Sequence, residues 1–124
     1  MEGIFNKISL VAALIQVSLP LHSAEIPSED FAFFETNIRP LLMDNCYKCH
    51  SADAEKIKGG FLLDSKPALR RGGDSGKAII PGDAEGSRLI QMINRHPDFE
   101  AMPPKTRLDS SEIDELTTWI NQGA

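Results

Sequence analysis

Residues 46–51 read CYKCHS, and the meaning of this hexapeptide decides how the rest of the chain is understood. Cys46 and Cys49 are the only cysteines, and His50 follows the second directly. Three chemistries use such a turn: a redox dithiol, part of a metal clip, or the covalent attachment of a haem. A zinc ribbon needs four ligands, usually with a second C-x-x-C, and the chain has none. A mixed site of Cys46, Cys49, His50 and His96 would ask adjacent residues 49 and 50 to share one ion, which fits common zinc spacings poorly. A thioredoxin-like dithiol follows a strand and opens a helix. Here SEDFAFFETNIRPLLMDN, residues 28–45, precedes Cys46 and reads as helix. C-x-x-C-H is the attachment signature of c-type haem. Positions i, i+3 and i+4 of a helical turn share one face, so two thiols can bond one porphyrin edge while the imidazole reaches the iron. The pentapeptide also arises by chance, so the reading requires an exported protein and a sixth iron ligand.

The N-terminus supplies the first requirement. Lys7 precedes an apolar stretch at residues 8–21, and the small residues Ser23 and Ala24 follow. This is the layout of a secretory signal peptide over residues 1–24, although Glu2 and His22 depart from the usual pattern. Gln16 and Pro20 interrupt the stretch, so no stable membrane span is expected after cleavage. Maturation of c-type haem takes place outside the cytoplasm, so the expected location is periplasmic or an equivalent extracytoplasmic compartment.

Removing residues 1–24 leaves residues 25–124 as one expected domain. Both the full chain and the remainder carry a net charge of −5, because Lys7 and Glu2 leave together. An acidic chain lacks the basic footprint that nucleic acid requires. A basic patch on a redox partner protein, or on a fused domain, would be attracted instead. A domain this small has a modest apolar core, and a buried porphyrin would enlarge it.

Outward from the hexapeptide, the periodicity is helical and the fold class is all-α. Ser28 with Glu29 and Asp30 forms an N-cap and acidic first turn, followed by Phe31, Phe34, Ile38, Leu41 and Leu42 at helical spacing, with Phe31 and Phe34 expected in the core. Pro40 is expected to kink or restart that helix. The stretch SKPALRR predicts a brief helix that stops at Gly72 and Gly73. Ile79 and Ile80 are expected to be buried, and Asp83 to cap a helix reaching Arg95 with Leu89, Ile90 and Ile93 inward. Asp109 and Glu112 form a capping-box pattern ahead of Ile113, Leu116, Trp119 and Ile120.

Candidates for the sixth ligand are Met43, Met92, Met102 and His96. Met43 lies too near the attachment turn to reach the opposite haem face. Met92 fits the apolar stripe of its helix, and His96 reads as a solvated loop residue. Met102 lies in FEAMPPKTRL, a loop that Pro103 and Pro104 restrict, so its thioether can be presented with little loss of entropy. For the propionates, Arg71 is the first candidate, with Arg70, Lys77, Arg95 and Lys105 also flanking the loops.

Three stretches, FFETNIRPLLMDNCYKCHS, GGFLLDSKPALRRGGDSGKAIIPGDAEGSRLIQMI and MPPKTRLDSSEIDELTTWINQGA, together resemble the planctomycete-type cytochrome c domain over about residues 30–124. The resemblance implies a class I cytochrome c fold, with helices and long loops around a single covalently attached haem c. It implies thioether bonds at Cys46 and Cys49, His50 as proximal ligand and Met102 as distal ligand. In that family the domain usually forms part of a much larger exported protein. Electron transfer, rather than enzymatic catalysis, is the expected role. The alternative is a haem-based enzyme or gas sensor with a labile sixth ligand, which carbon monoxide binding would reveal.

Overall fold

The computed structural model describes residues 28–124, so the expected signal peptide lies outside the described residues. Ser28 caps α1, Glu29–Phe33, by accepting from the Phe31 N–H. The helix widens into a π-helical stretch, Phe34–Ile38, and resumes as α2, Arg39–Asn45, with Pro40 in its first turn. The cause is local. Pro40 has no N–H for an α-helical bond, and its ring would crowd the carbonyl four residues back. The Arg39 N–H reaches instead to the Phe34 carbonyl, five residues away, and α2 starts afresh. The expected restart at Pro40 is therefore present.

A further turn, α3 at Tyr47–His50, carries the hexapeptide, and a 3-10 turn follows at Lys58–Gly60. The remaining helices are α4, Lys66–Arg71, α5, Arg88–Ile93, and α6, Ser110–Asn121. Among the described residues there is no strand; the pairs Gly73–Gly76 and Ile80–Asp83 are isolated bridges. The all-α reading holds. No helix among the described residues is long and apolar enough to cross a membrane.

The core joins the helices through Ile38, Leu42, Ile79, Leu116 and Ile120, all essentially inaccessible to solvent. α6 packs against both the π-helical stretch and α5. Trp119 lies 5.6 Å, centroid to centroid, from Phe34, a contact worth about 0.5–1.5 kcal/mol beyond its buried area. The capping box at Asp109 and Glu112 is complete, and Gly72, at φ 82°, ends α4 as expected.

Three expectations need correction. Phe31 is 53% exposed, because it sits in the first turns of α1 at the mouth of an open cavity. Ile80 is 42% exposed while Ile79 is buried, since adjacent extended residues point in opposite directions. The helix expected from Asp83 to Arg95 spans only Arg88–Ile93. Asp83 does accept an N–H three residues on, from Gly86 at 2.8 Å, but this closes a turn. Ser87 is the N-cap residue, and Leu89 N–H is drawn to the Ala78 carbonyl at 2.9 Å. At the other end, Arg95 leaves the helix at φ 63°, just before the His96–Pro97 pair, where helical backbone is disfavoured.

Candidate haem-attachment site

Cys46 forms the joint between α2 and α3, serving as C-cap of one and N-cap of the other, at φ −126° and ψ −40°. Its N–H donates to the Leu42 carbonyl at 2.8 Å, and its own carbonyl accepts from His50 at 2.9 Å and Cys49 at 3.1 Å. One helical turn therefore gathers Cys46, Cys49 and His50, as their spacing predicts. Ser51, buried, terminates the turn in extended backbone and donates its hydroxyl to the Tyr47 carbonyl at 2.7 Å.

The following loop folds back on the turn and orients the imidazole. Leu63 N–H donates to the His50 carbonyl at 2.8 Å. His50 Nδ1 lies 3.0 Å from the Phe61 carbonyl oxygen, and the Phe61 ring meets the imidazole edge-on at 5.7 Å. A carbonyl can only accept, so Nδ1 carries the proton and Nε2 presents its lone pair. Metal-ligating histidines use this arrangement, which fixes the tautomer and makes Nε2 more basic.

The Cys46 thiol differs from that of a redox pair. Burial, with a smaller contribution from the Glu112 carboxylate, pushes the Cys46 thiol up to about 12. A catalytic dithiol needs the opposite shift, toward thiolate at neutral pH. A thioether does not ionise, so an apolar setting suits it. Cys46 packs against the hydrophobic core. Among the described residues, no three His, Cys, Asp or Glu side chains converge as ligands of one ion would. The donor set thus fits a plate held at its edge by two sulfurs and at its centre by an imidazole.

Met102 is half-buried in the loop after α5, and its N–H donates to the Met92 carbonyl at 3.2 Å. The Met102–Pro103 peptide is cis. Met92 is itself half-buried rather than fully enclosed. His96 is exposed, as expected, and stacks edge-on against Phe99 at 5.6 Å.

The cationic candidates have separate placements. Arg70 donates to the Gly123 and Ala124 carbonyls, both at 3.1 Å, and ties α4 to the end of α6. Arg95 donates to the Thr106 carbonyl and so braces the loop that holds Met102. Arg71, Lys77 and Lys105 are exposed. A cavity of about 540 Å³ is lined by Phe34, Arg39, Tyr47, Lys66 and Trp119 among others. It touches neither cysteine nor His50, although Tyr47 of the attachment turn lines it.

The Phe61 carbonyl is the participant that sequence reading missed. A backbone acceptor leaves no letter of its own. The nearest signal is the pair of glycine doublets, Gly59–Gly60 and Gly72–Gly73.

A helical domain with C-x-x-C-H on one turn, and the histidine held by its Nδ1, has the design of a c-type cytochrome. Residues 46–106 match the family model described as planctomycete cytochrome C, and the chain carries a planctomycete-type cytochrome c domain. The match begins at Cys46 and extends past Met102, whereas α1, α2 and α6 lie outside it. No curated protein and no solved structure matches the chain.

Proposed function

We propose that the chain transfers electrons through a single haem c, bonded by thioethers at Cys46 and Cys49, with His50 and Met102 as axial ligands. The observation that carries this reading is the 3.0 Å contact between His50 Nδ1 and the Phe61 carbonyl, which leaves Nε2 as the ring nitrogen with the lone pair, on a turn already bearing two cysteines. When bound, the haem supplies a one-electron iron couple. The protein's part is positional. Cys46 and Cys49 fix the porphyrin edge, and the Phe61 carbonyl keeps His50 in the ligating tautomer. The Met102 sulfur, a soft donor, favours ferrous iron and holds the potential above that of two nitrogen ligands.

Arg71 and Lys77 are the proposed propionate partners, while the Arg70 guanidinium already serves the Gly123 and Ala124 carbonyls. The proposed setting is extracytoplasmic, with the domain acting as a free carrier or as the redox module of a larger protein. Its partner is a redox protein or a fused domain.

The test is a visible spectrum of protein expressed with the c-type maturation machinery. Haem is expected to stay with the chain after denaturation and acid-organic extraction, and to be lost when Cys46→Ala and Cys49→Ala are combined. Freely extractable haem, or none, refutes the proposal. Carbon monoxide binding to the native reduced protein would favour a haem enzyme or gas sensor over a carrier.

A further inference from the structure

The carbonyl that orients His50 is held in place by a distant part of the chain. Phe61 directly follows the turn Lys58–Gly60. On its own that turn is weakly defined. Gly59 and Gly60 both adopt positive φ, at 61° and 58°, and the Phe61 N–H bond back to Lys58 is long at 3.3 Å. Glycine at such positions loses the most conformational freedom on ordering. Something else must fix the turn.

The tight turn at residues 72–76 does so. It is closed by Gly73 N–H to the Gly76 carbonyl at 3.1 Å and by Gly76 N–H to the Gly73 carbonyl at 2.9 Å. Asp74 N–H then donates to the Gly59 carbonyl at 2.8 Å. Gly73 lies flush against the Lys58–Gly60 turn. A Cβ on Gly73 would collide with the Gly59 carbonyl oxygen and stand 2.8 Å from Phe61 Cβ. Conversely, a Cβ on Gly60 would stand 2.5 Å from Asp74 Oδ1. The two glycine doublets interlock immediately before the carbonyl that meets His50.

We propose that the turn at residues 72–76 is a positioning element for the proximal histidine: it holds the Phe61 carbonyl against His50 Nδ1 and so sets the electron affinity of the iron. The proposal rests on the haem reading of the same site. A firm bond from Nδ1 makes Nε2 a better donor and favours ferric iron. Loosening the turn weakens that donation and raises the reduction potential.

Gly73→Ala tests the role cleanly, because Gly73 is outside the left-handed region and only the space beside it changes. In the haem-loaded protein, covalent haem and the sulfur-to-iron charge-transfer band are expected to remain. The His50 ring N–H should exchange with solvent about tenfold faster, the factor for losing most of one hydrogen bond. The potential should rise by up to about 59 mV, the one-electron equivalent of tenfold. Ile120→Val, which thins the core in α6, lowers stability and should move neither readout. An unchanged potential and ring exchange in Gly73→Ala overturn the positioning role alone; absence of covalent haem in the wild type overturns the haem reading and this proposal with it. If Gly73→Ala does not fold, the wild type decides. Protection of the His50 ring N–H and the Asp74 amide should then vanish together as denaturant is added, and a ring proton that exchanges far faster than the Asp74 amide refutes the proposal.

Discussion

At the scale of single residues, two methionines share one small region of the fold, and their side chains have different expected roles. The Met102 N–H donates to the Met92 carbonyl, so the loop carrying Met102 is fastened to the end of α5 through backbone. That bond survives substitution of either side chain, which makes the pair a clean comparison. Met102→Ala is expected to keep covalent haem, lose the sulfur-to-iron charge-transfer band, lower the reduction potential and admit carbon monoxide. Met102→His should keep six-coordination with a lowered potential. Met92→Ala should retain the band and lose about 1–2 kcal/mol of stability, less than a fully buried methionine, because half of the side chain is already solvated. Optical spectra and chemical denaturation of the variants check this, and a band lost only in Met92→Ala would move the distal ligand to α5. Sequence legibility at this scale follows side-chain chemistry. Cys46, Cys49 and His50 were readable because their spacing alone places them on one turn. The Phe61 carbonyl was not, because any residue could offer it.

Elements are set partly by short-range rules and partly by contacts that no local pattern records. The inward positions Ile38, Leu41, Leu42, Leu116, Trp119 and Ile120 were legible from helical spacing, and all are buried. The start of α5 was not. Asp83 makes the same side-chain bond three residues forward that a cap would make, so its local signature is genuine but belongs to a turn. Ser87 stands just before the first helical residue, and its hydroxyl bonds backward to the preceding loop rather than into the helix. It is completely buried, accepts from the Ile80 N–H at 2.8 Å and donates to the Asp83 carbonyl at 2.7 Å. Ser87→Ala removes the acceptor of the part-buried Ile80 N–H and the donor to the Asp83 carbonyl, and is expected to cost about 1 kcal/mol in denaturant unfolding. α6 offers a pH-dependent case. The Glu112 N–H, with the Ser111 hydroxyl, holds the Asp109 carboxyl below its usual 3.8. A lowered folded-state value gives stability that is fully present above the ordinary value of 3.8 and is lost as pH falls from there through the folded value. The thermal midpoint should therefore drop more steeply below pH 3.8 in the wild type than in Asp109→Asn, whose cap does not titrate in that range. Parallel acid limbs in the two proteins would show that the cap contributes nothing to this dependence.

For the molecule as a whole, charge governs how the proposed carrier meets a partner. The chain carries −5 at pH 7, and the expected removal of residues 1–24 leaves that value unchanged. Haem propionates would add to it. A strongly charged small protein steers oppositely charged partners over distances comparable to the Debye length, about 30 Å at 0.01 M salt and about 8 Å at physiological strength. Such steering raises association rates by factors of about 10 to 1,000 and disappears as salt screens it. The second-order rate of electron exchange with a cationic redox protein is thus expected to fall by about tenfold or more between those two ionic strengths, with an acidic partner showing the reverse slope. The effect belongs to the encounter and leaves the reduction potential nearly constant over the same range. Stopped-flow mixing of the haem-loaded protein with one basic and one acidic partner separates the two. A rate independent of salt with both would mean that the haem edge is approached through a face where the acidic residues do not act, and the steering argument would fail.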